Sequence, residues 1–191
     1  MTDIFAALAA ELSIPGRTGL RFWYRVWLTF LGGGNHKAIV CIRLGQVFHR
    51  GNRKRLARFM ATTLRREFGI MVSPKAEIGP GLRLPHPTGI VIGDGVRIGA
   101  RCTIYQQVTI GGARRGDWQA GRYPAIGDDA VLFAGAKLVG PVSLGDGVTV
   151  GANAVVTRDI PSRHIAVGIP AVAKPIAPRA VREAPSLQRD C

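Results

Sequence analysis

His86 is the residue in this chain best suited to acid–base chemistry, because an imidazole titrates near neutral pH. Such a group can take the proton from a hydroxyl as that hydroxyl attacks an electrophilic carbonyl carbon. A lone histidine in a domain is more often structural, so its chemistry alone leaves both interpretations open. Its position adds weight to the functional one, because His86 lies where a regular pattern in the second half of the chain is interrupted.

That pattern is a six-residue repeat of aliphatic side chains. A period of six fits neither an α-helix nor an ordinary strand and is the signature of a parallel β-helix. In that fold three short strands form one triangular coil, and one aliphatic side chain per strand points into the stack. Twelve repeats predict about four coils. The repeated residues are Ile78, Leu84, Ile92, Ile98, Ile104, Ile110, Ile126, Leu132, Leu138, Leu144, Val150 and Val156.

Glycine directly follows seven of these aliphatic residues. We expect these glycines at the corners of the coil, since a glycine adopts a positive φ without a Cβ clash. They are Gly79, Gly93, Gly99, Gly111, Gly127, Gly145 and Gly151.

The repeat breaks twice, and each break is a candidate functional segment. Two extra residues enter in the stretch that contains His86, and ten residues beyond one repeat enter after Ile110. Residues 112–122 must therefore leave the coil as a protruding loop. Loops that project from a rigid scaffold often carry function.

Four segments of the chain resemble the acyltransferase hexapeptide family, most closely its serine acetyltransferase branch. The resemblance covers roughly residues 36–173 and implies a left-handed parallel β-helix that forms a homotrimer and transfers acetyl from acetyl-CoA to a hydroxyl. The family's catalytic histidine corresponds to His86, as the general base of a direct transfer that needs no metal. The segments are HPTGIVIG (86–93), IYQQVTIGG (104–112), IGDDAVLFAGAKLVGPVSLGDGVTVGANAVV (126–156) and AVGIPA (166–171).

The chain departs from the serine acetyltransferase pattern at three polar positions. The aspartate that precedes the family's histidine is Pro85 here, and the aspartate fifteen residues upstream of that histidine is Met71. The family's arginine–histidine pair in the long loop becomes Arg122 and Tyr123. We take Arg122, Tyr123 and Pro85 as the candidate substrate-binding residues.

These departures bear on the acceptor, because a site that hydrogen-bonds its substrate loses discrimination when the partners are absent. We therefore expect the acceptor to be a sugar hydroxyl of a polysaccharide or of a lipid-linked precursor. Acetylation of L-serine for cysteine biosynthesis is the alternative, and an inactive hexapeptide scaffold is a second one. Asp94 or Glu77 could orient His86 in place of the missing aspartate.

The resemblance also implies where acetyl-CoA binds, along the later coils. Small residues there let the pantetheine arm lie close to the backbone, and lysines suit the phosphates of a polyanion. Phe133 stands where the family usually has glycine, which would narrow that groove. The candidate cofactor-binding residues are Gly111, Gly112, Ala134, Gly135, Ala136, Lys137 and Lys174.

Outside the repeat the sequence predicts a short N-terminal α-helical region at 1–70, because apolar residues recur there at helical spacing. The β-helix acyltransferase domain is assigned to 71–173, and 174–191 is expected to be a flexible, basic, proline-containing tail. Cys41, Cys102 and Cys191 fit no disulfide framework or metal motif, which favours a reducing compartment.

The net charge of +14 suggests an acidic partner, and seven cations lie between residues 50 and 66. An aromatic segment at 22–31 precedes them, and it is too short to span a membrane, which takes about twenty residues. We expect a cytoplasmic protein. Docking of this region to the anionic inner face of a membrane is one interpretation. The other is that the aromatic residues pack on the β-helix and the cations are solvated. Nucleic-acid binding is the weaker account, because no recognised motif accompanies the charge.

If His86 is the general base, the substitution His86→Ala should lower the rate of acetyl transfer by about 10² or more. The measurement is the release of free CoA thiol from acetyl-CoA in the presence of an acceptor. An unchanged rate would reject the assigned role and leave the predicted fold untouched.

Overall fold

The computed structural model describes residues 4–14, 19–114, 116–117 and 119–176. Its N-terminal part is helical, and the remainder is a stack of short strands. The helices are α1 (Ile4–Glu11), α2 (Leu20–Gly32), α3 (Gly34–Arg50) and α4 (Lys54–Phe68). The strands are β1 (Met71–Val72), β2 (Glu77–Ile78), β3 (Val91–Ile92), β4 (Arg97–Ile98), β5 (Thr103–Ile104), β6 (Thr109–Gly111), β7 (Ala125–Ile126), β8 (Val131–Leu132), β9 (Lys137–Val139), β10 (Ser143–Leu144), β11 (Thr149–Val150), β12 (Val155–Val156), β13 (His164–Val167) and β14 (Val172–Pro175).

The strands form three sheets, which are the three faces of a triangular prism. The first face has the order β1-β3-β6-β9-β12, the second β2-β4-β7-β10 and the third β5-β8-β11-β13-β14. All pairs are parallel except β13 with β14, which forms an antiparallel hairpin. Because the chain returns to the same face after visiting the other two, the predicted parallel β-helix is confirmed.

The aliphatic repeat forms the core of the prism. Each of its twelve residues is buried, with at most 5% of its surface exposed. A second buried column, which the repeat did not indicate, lies two residues before these positions. Its members are Ala76, Leu82, Ile90, Val96, Cys102, Val108, Ala130, Ala136, Val142, Val148 and Ala154.

Most glycines that follow the repeat residues are required by lack of space, and the expected positive φ at these positions is wrong. None of the seven has a positive φ. A Cβ on Gly79 would lie 2.6 Å from the backbone of Gly99, and a Cβ on Gly99 would lie 2.6 Å from the backbone of Gly127. Consecutive coils therefore approach too closely here for a side chain.

The left-handed backbone conformation occurs at other corner positions, both in glycines and in residues that carry side chains. Arg101, Gln107, Asp129, Asn153 and Arg163 have φ between 56° and 58°. The corner geometry is therefore imposed by the stacking of coils and does not depend on glycine alone.

The first coil of the prism has no coil above it, so some of its backbone carbonyls lack strand partners. Within the stack each coil donates its N–H groups to the carbonyls of the next, as Glu77 does to Val96 and Gly79 does to Ile98. The matching carbonyls of the first coil belong to Ala76 and Ile78. A buried carbonyl left without a donor costs about 1–3 kcal/mol.

Helix α3 crosses this open end and supplies the missing donors. Arg43 donates to the carbonyl of Ile78 at 2.8 Å and to that of Gly79 at 2.6 Å, and Gln46 donates to that of Ala76 at 2.9 Å. The guanidinium is paired with Glu11 of α1, and the two side chains are 1% and 0% exposed. The ion pair joins α1 to α3, and the helical region is attached to the β-helix through the hydrogen bonds of Arg43 and Gln46 and through the Leu82 N–H, which donates to Glu11 at 2.9 Å.

Cys41 and Cys102 are free and buried. Burial raises the pKa of the Cys41 thiol to about 12 and that of the Cys102 thiol to about 11, so neither is a reactive thiolate at neutral pH. Cys191 lies outside the described residues. Of the tail predicted at 174–191, Lys174 and Pro175 belong to β14, and residues 177–191 lie outside the described part.

In the part of the chain that the structure describes, no helix is long and apolar enough to cross a membrane. The helical layer contacts the prism through α1, α3 and α4, whereas α2 packs against α3.

The substitution Glu11→Gln should destabilise the fold by about 3–5 kcal/mol, because it leaves the buried charge of Arg43 without a counter-ion. The free energy of unfolding in urea measures this, at one fixed protein concentration for all variants.

Asp129→Asn is the matched control, because it removes one charge of an exposed pair with Arg101 and keeps a residue type that tolerates a positive φ. Its unfolding midpoint should stay close to that of the parent chain. Equal destabilisation by the two substitutions would contradict the role assigned to the buried pair.

Candidate active site

His86 lies in the turn between the third and first faces, at the first coil of the prism. Prolines on both sides restrict its backbone, and the Thr88 N–H donates to the His86 carbonyl at 2.8 Å. The imidazole is exposed, and no hydrogen bond to its ring nitrogens occurs among the described residues. Its nitrogens are therefore available to an acceptor hydroxyl.

The position of this turn is set by Asn35, the second residue of α3. Its side-chain amide donates to the carbonyl of Pro85 at 2.5 Å. The same helix that closes the open end of the prism through Arg43 thus also holds the residue preceding His86. Nothing in the sequence pattern indicated Asn35.

Beside His86 an aromatic column runs along the edge of the third face. The His86 and Tyr105 rings lie 6.1 Å apart, and Tyr105 stacks on Phe133 with centroids 5.1 Å apart and planes 15° apart. Tyr105 and Phe133 occupy equivalent positions in consecutive coils. The column offers a flat apolar wall next to the imidazole.

Gln106 follows Tyr105 and forms the turn one coil along from that of His86. Its backbone carbonyl accepts the N–H of Gly135 at 2.9 Å, and the neighbouring Gln107 N–H donates to Thr88 at 2.8 Å. In the described part of the chain, the Gln106 Oε1 atom is the buried side-chain oxygen that lacks a hydrogen-bond partner. A buried oxygen without a partner is a candidate acceptor for a hydrogen bond from a ligand.

The two groups considered for orienting His86 lie elsewhere in the prism. Asp94 follows β3 at the corner between the first and second faces, where Lys75 is 3.4 Å away. A hydrogen bond from Ser73 is the main cause that keeps the pKa of Asp94 below its usual range. Glu77 lies on the second face in register with Arg97. Neither residue is at the corner that carries His86.

The long loop is organised by one buried side chain, Asp117, which is 6% exposed. Its carboxylate accepts the N–H groups of Ala113 and Arg114, both at 2.7 Å, and its backbone carbonyl accepts the Arg122 N–H at 3.0 Å. The presence of a single aspartate among the loop residues was the only available signal for this role.

The two candidate acceptor residues of the loop do not meet His86 within one chain. Tyr123 packs its ring against Gly93 and Gly95, where a Cβ would come within 2.9 and 2.4 Å of the ring. This contact is at the corner between the first and second faces. Arg122 is exposed beside it. Pro85, the third candidate, adjoins His86.

Of the candidate cofactor residues, Gly111 ends strand β6 and Gly112 begins the long loop. Around Gly111 no atom lies within 4 Å of the place a Cβ would occupy, so the surface there is open. A Cβ on Gly112 would lie 2.9 Å from the Cβ of Asp117. The absence of a side chain at Gly112 is therefore explained by loop packing.

The other small candidates form the corner before β9. Ala134 is half-buried, whereas Ala136 is fully buried in the prism, so only its backbone can face a ligand. Gly135 has φ 73°, and a Cβ there would overlap with the side chain of Asn153 in the next coil.

The two candidate lysines differ in their freedom. The ammonium of Lys137 donates to the carbonyls of Gln107 and Gly135 at 2.7 and 2.8 Å, which ties it to the corner. Lys174 is exposed on β14 in register with Ile165. Lys174 is therefore the freer of the two to meet a phosphate.

His86 stands on an exposed corner of one chain, and the cleft of about 630 Å³ in the structure lies elsewhere. That cleft is on the second face, between Arg50 of the helical layer and strands β2, β4 and β7. A base that stands on an open corner needs further surface to enclose a substrate, which a second copy of the chain could supply.

The chain matches known hexapeptide transferases in two segments. Residues 123–158 match the bacterial transferase hexapeptide (six repeats), and residues 89–112 match the hexapeptide repeat of succinyl-transferase. A serine acetyltransferase of Helicobacter pylori is 41% identical over 131 residues, which are 69% of this chain and 75% of the relative. A serine acetyltransferase of Synechococcus elongatus is 34% identical over 173 residues, which are 87% of this chain and 67% of the relative.

Solved structures give the same result. A soybean serine acetyltransferase complexed with serine superposes with a TM-score of 0.72 at 31% identity, over 90% of this chain and 69% of that one. A serine acetyltransferase in complex with CoA superposes with a TM-score of 0.71 at 30% identity, over 90% and 69%. These matches confirm the left-handed β-helix with a helical N-terminal part. About a quarter to a third of each relative lies outside the match.

The expectation of a sugar acceptor, and with it a role in polysaccharide biosynthesis, is wrong. The relatives and structures described above are serine acetyltransferases. The prediction failed because Pro85, Met71 and Tyr123 identify only polar groups that are missing. They do not show which other groups of the site bind the acceptor.

The substitution Asn35→Asp should lower kcat about tenfold, because the carboxylate cannot donate to the Pro85 carbonyl and the His86 turn loses its fixed position. The KM for acetyl-CoA and the unfolding midpoint should stay unchanged, since Asn35 is exposed. Steady-state kinetics and a urea titration measure both.

The control is Asn52→Asp, which makes the same chemical change at an exposed position between α3 and α4. It should behave as the parent chain. If Asn35→Asp also retained the full kcat, Asn35 would have no positioning role.

Proposed function

Because the chain belongs to the serine acetyltransferase branch of the hexapeptide-repeat acyltransferases, we propose that it transfers the acetyl group of acetyl-CoA to the hydroxyl of L-serine. The observation that carries the proposal is the 41% identity to a serine acetyltransferase of which this chain covers 75%. The chain is thus an acyltransferase with acetyl-CoA as donor.

His86 is the proposed general base. Its neutral imidazole takes the proton of the serine hydroxyl while the oxygen attacks the thioester carbonyl, and a C–O bond forms. The tetrahedral oxyanion then collapses, the C–S bond breaks, and the imidazolium returns the proton to the departing CoA thiolate. Exposure of His86 and the hold of Asn35 on the preceding carbonyl support this assignment.

A homotrimer is the proposed active assembly. Arg122 and Tyr123 lie at one corner of the prism and His86 at another, so one chain alone does not bring them together. Around a threefold axis the long loop of one copy can meet the His86 corner of its neighbour. Asp117 keeps that loop compact, which suits a segment that forms one wall of a shared site.

The acceptor also needs a partner for its ammonium group, and Gln106 is the proposed one. The aspartates of the related enzymes are absent at positions 71 and 85. The Gln106 Oε1 atom is buried, accepts no bond in the described part of the chain, and lies one coil from the His86 turn. A carbonyl oxygen of this kind accepts an N–H of the substrate ammonium without the charge of a carboxylate.

The cytoplasm is the proposed site of action. Acetyl-CoA is proposed to bind along the later coils. The open surface at Gly111 and the exposed ammonium of Lys174 support this placement.

The purified protein should release CoA thiol from acetyl-CoA when L-serine is present and remain near background with free sugars, nucleotide sugars or a lipid-linked glycan extract. Gln106→Met should raise the KM for L-serine about tenfold, because it removes one hydrogen bond to a charged donor. Its KM for acetyl-CoA should not change. Its stability should not fall, because the Gln106 Oε1 atom has no hydrogen-bond partner among the described residues.

Gln107→Met is the matched control, at the exposed neighbouring position. Thiol release with a glycan acceptor and none with L-serine would overturn the proposed function. Equal KM values for serine in the two variants would reject only the role of Gln106.

A further inference from the structure

Helix α2 is apolar on two opposite faces, whereas a helix that packs on only one side is apolar on only one. Phe22 and Val26 are buried, and Phe30 is half-buried against the same core. The opposite face carries a second apolar row at helical spacing. This row, called the outer α2 stripe, consists of Leu20, Tyr24, Trp27, Leu28 and Leu31.

None of the described residues covers the outer α2 stripe. Leu20 is 89% exposed, and the other four members are between 44% and 58% exposed. The inner face of α2 packs against α3, so packing on the β-helix, which was one sequence interpretation of the aromatic segment, does not account for the outer face. Exposed apolar rows of this size mark a surface that binds something.

Cations border the stripe. Arg21 and Arg25 lie on α2 directly after the stripe residues Leu20 and Tyr24, and both are exposed. At the other end, Phe30 contacts Phe59 of α4 with ring centroids 6.4 Å apart, and Phe59 is itself exposed. Helix α4, which meets α2 at this contact, carries five exposed cations: Lys54, Arg55, Arg58, Arg65 and Arg66.

We propose that the outer α2 stripe docks on the surface of an anionic phospholipid bilayer. Tryptophan and tyrosine suit the boundary between headgroups and acyl chains, leucine suits the acyl chains, and the bordering arginines meet the lipid phosphates. The helix has 13 residues and is about 20 Å long, whereas the hydrocarbon core is about 30 Å thick. The helix therefore lies along the surface.

Charge favours an anionic bilayer over a second copy of the chain as the partner of the stripe. Two copies joined through their stripes would bring Arg21, Arg25 and the cations of α4 towards identical cations, within proteins of net charge +14. An anionic lipid surface presents the opposite charge to the same residues and attracts them by about 1 kcal/mol per cation near the surface.

The test is flotation of the full chain with vesicles of phosphatidylcholine alone and of phosphatidylcholine with about one third phosphatidylglycerol. The chain should float only with the anionic vesicles, and added salt should weaken binding. In Trp118→Phe the remaining tryptophans, Trp23 and Trp27, both belong to α2. Their fluorescence should shift to the blue on binding.

The double substitution Trp27→Ser with Leu28→Ser should weaken binding at least about tenfold, because two apolar side chains no longer enter the interface. Val172→Ser is the matched control, since it removes a comparably exposed apolar side chain from the β-helix and should leave binding unchanged. Both variants should keep the acetyl transfer rate of the parent chain in the absence of vesicles.

Absence of binding to both vesicle types would overturn the proposal, as would equal binding of the double variant. Light scattering that shows larger assemblies of the parent chain, lost in the double variant, would assign the stripe to a second copy instead. None of these readouts depends on the acceptor, so a failure of the proposed function leaves this test intact.

Discussion

The carbonyl groups of the first coil impose the constraint on which the rest of the structure depends. A parallel β-helix passes its hydrogen bonds from coil to coil, so the first coil must find donors outside the repeat. Arg43 and Gln46 of α3 provide them, and Glu11 of α1 balances the buried charge. The first coil of the β-helix therefore depends on the helical region for its hydrogen bonds.

Helix α3, which closes the first coil, also contacts the candidate active site. Asn35 stands eight residues before Arg43 on α3 and binds the carbonyl of Pro85, next to His86. The position of the imidazole is thus set by a helix outside the repeat, together with the two prolines around it. A mobile base on an exposed corner would lose the geometry that proton transfer requires.

The prism also separates groups that a single site would need together. His86 and Gln106 share one corner, whereas Tyr123 and the base of the long loop share another. The proposed homotrimer would resolve this separation, because a threefold axis can place the long loop of one copy against the His86 corner of a neighbour.

The six-residue period by itself determined the fold, since only a three-sided coil places every sixth side chain in one core. It also located His86 and the long loop, because both interrupt the period. Only the tertiary structure decided the rest. Most of the repeat glycines are required by the close approach of consecutive coils. Asn35 gains its role from Pro85, a partner distant in sequence, and Asp117 gains its role from the backbone N–H groups of its own loop. The acceptor was missed for the same reason, because missing residues show what a site lacks, whereas binding depends on the groups that folding brings together.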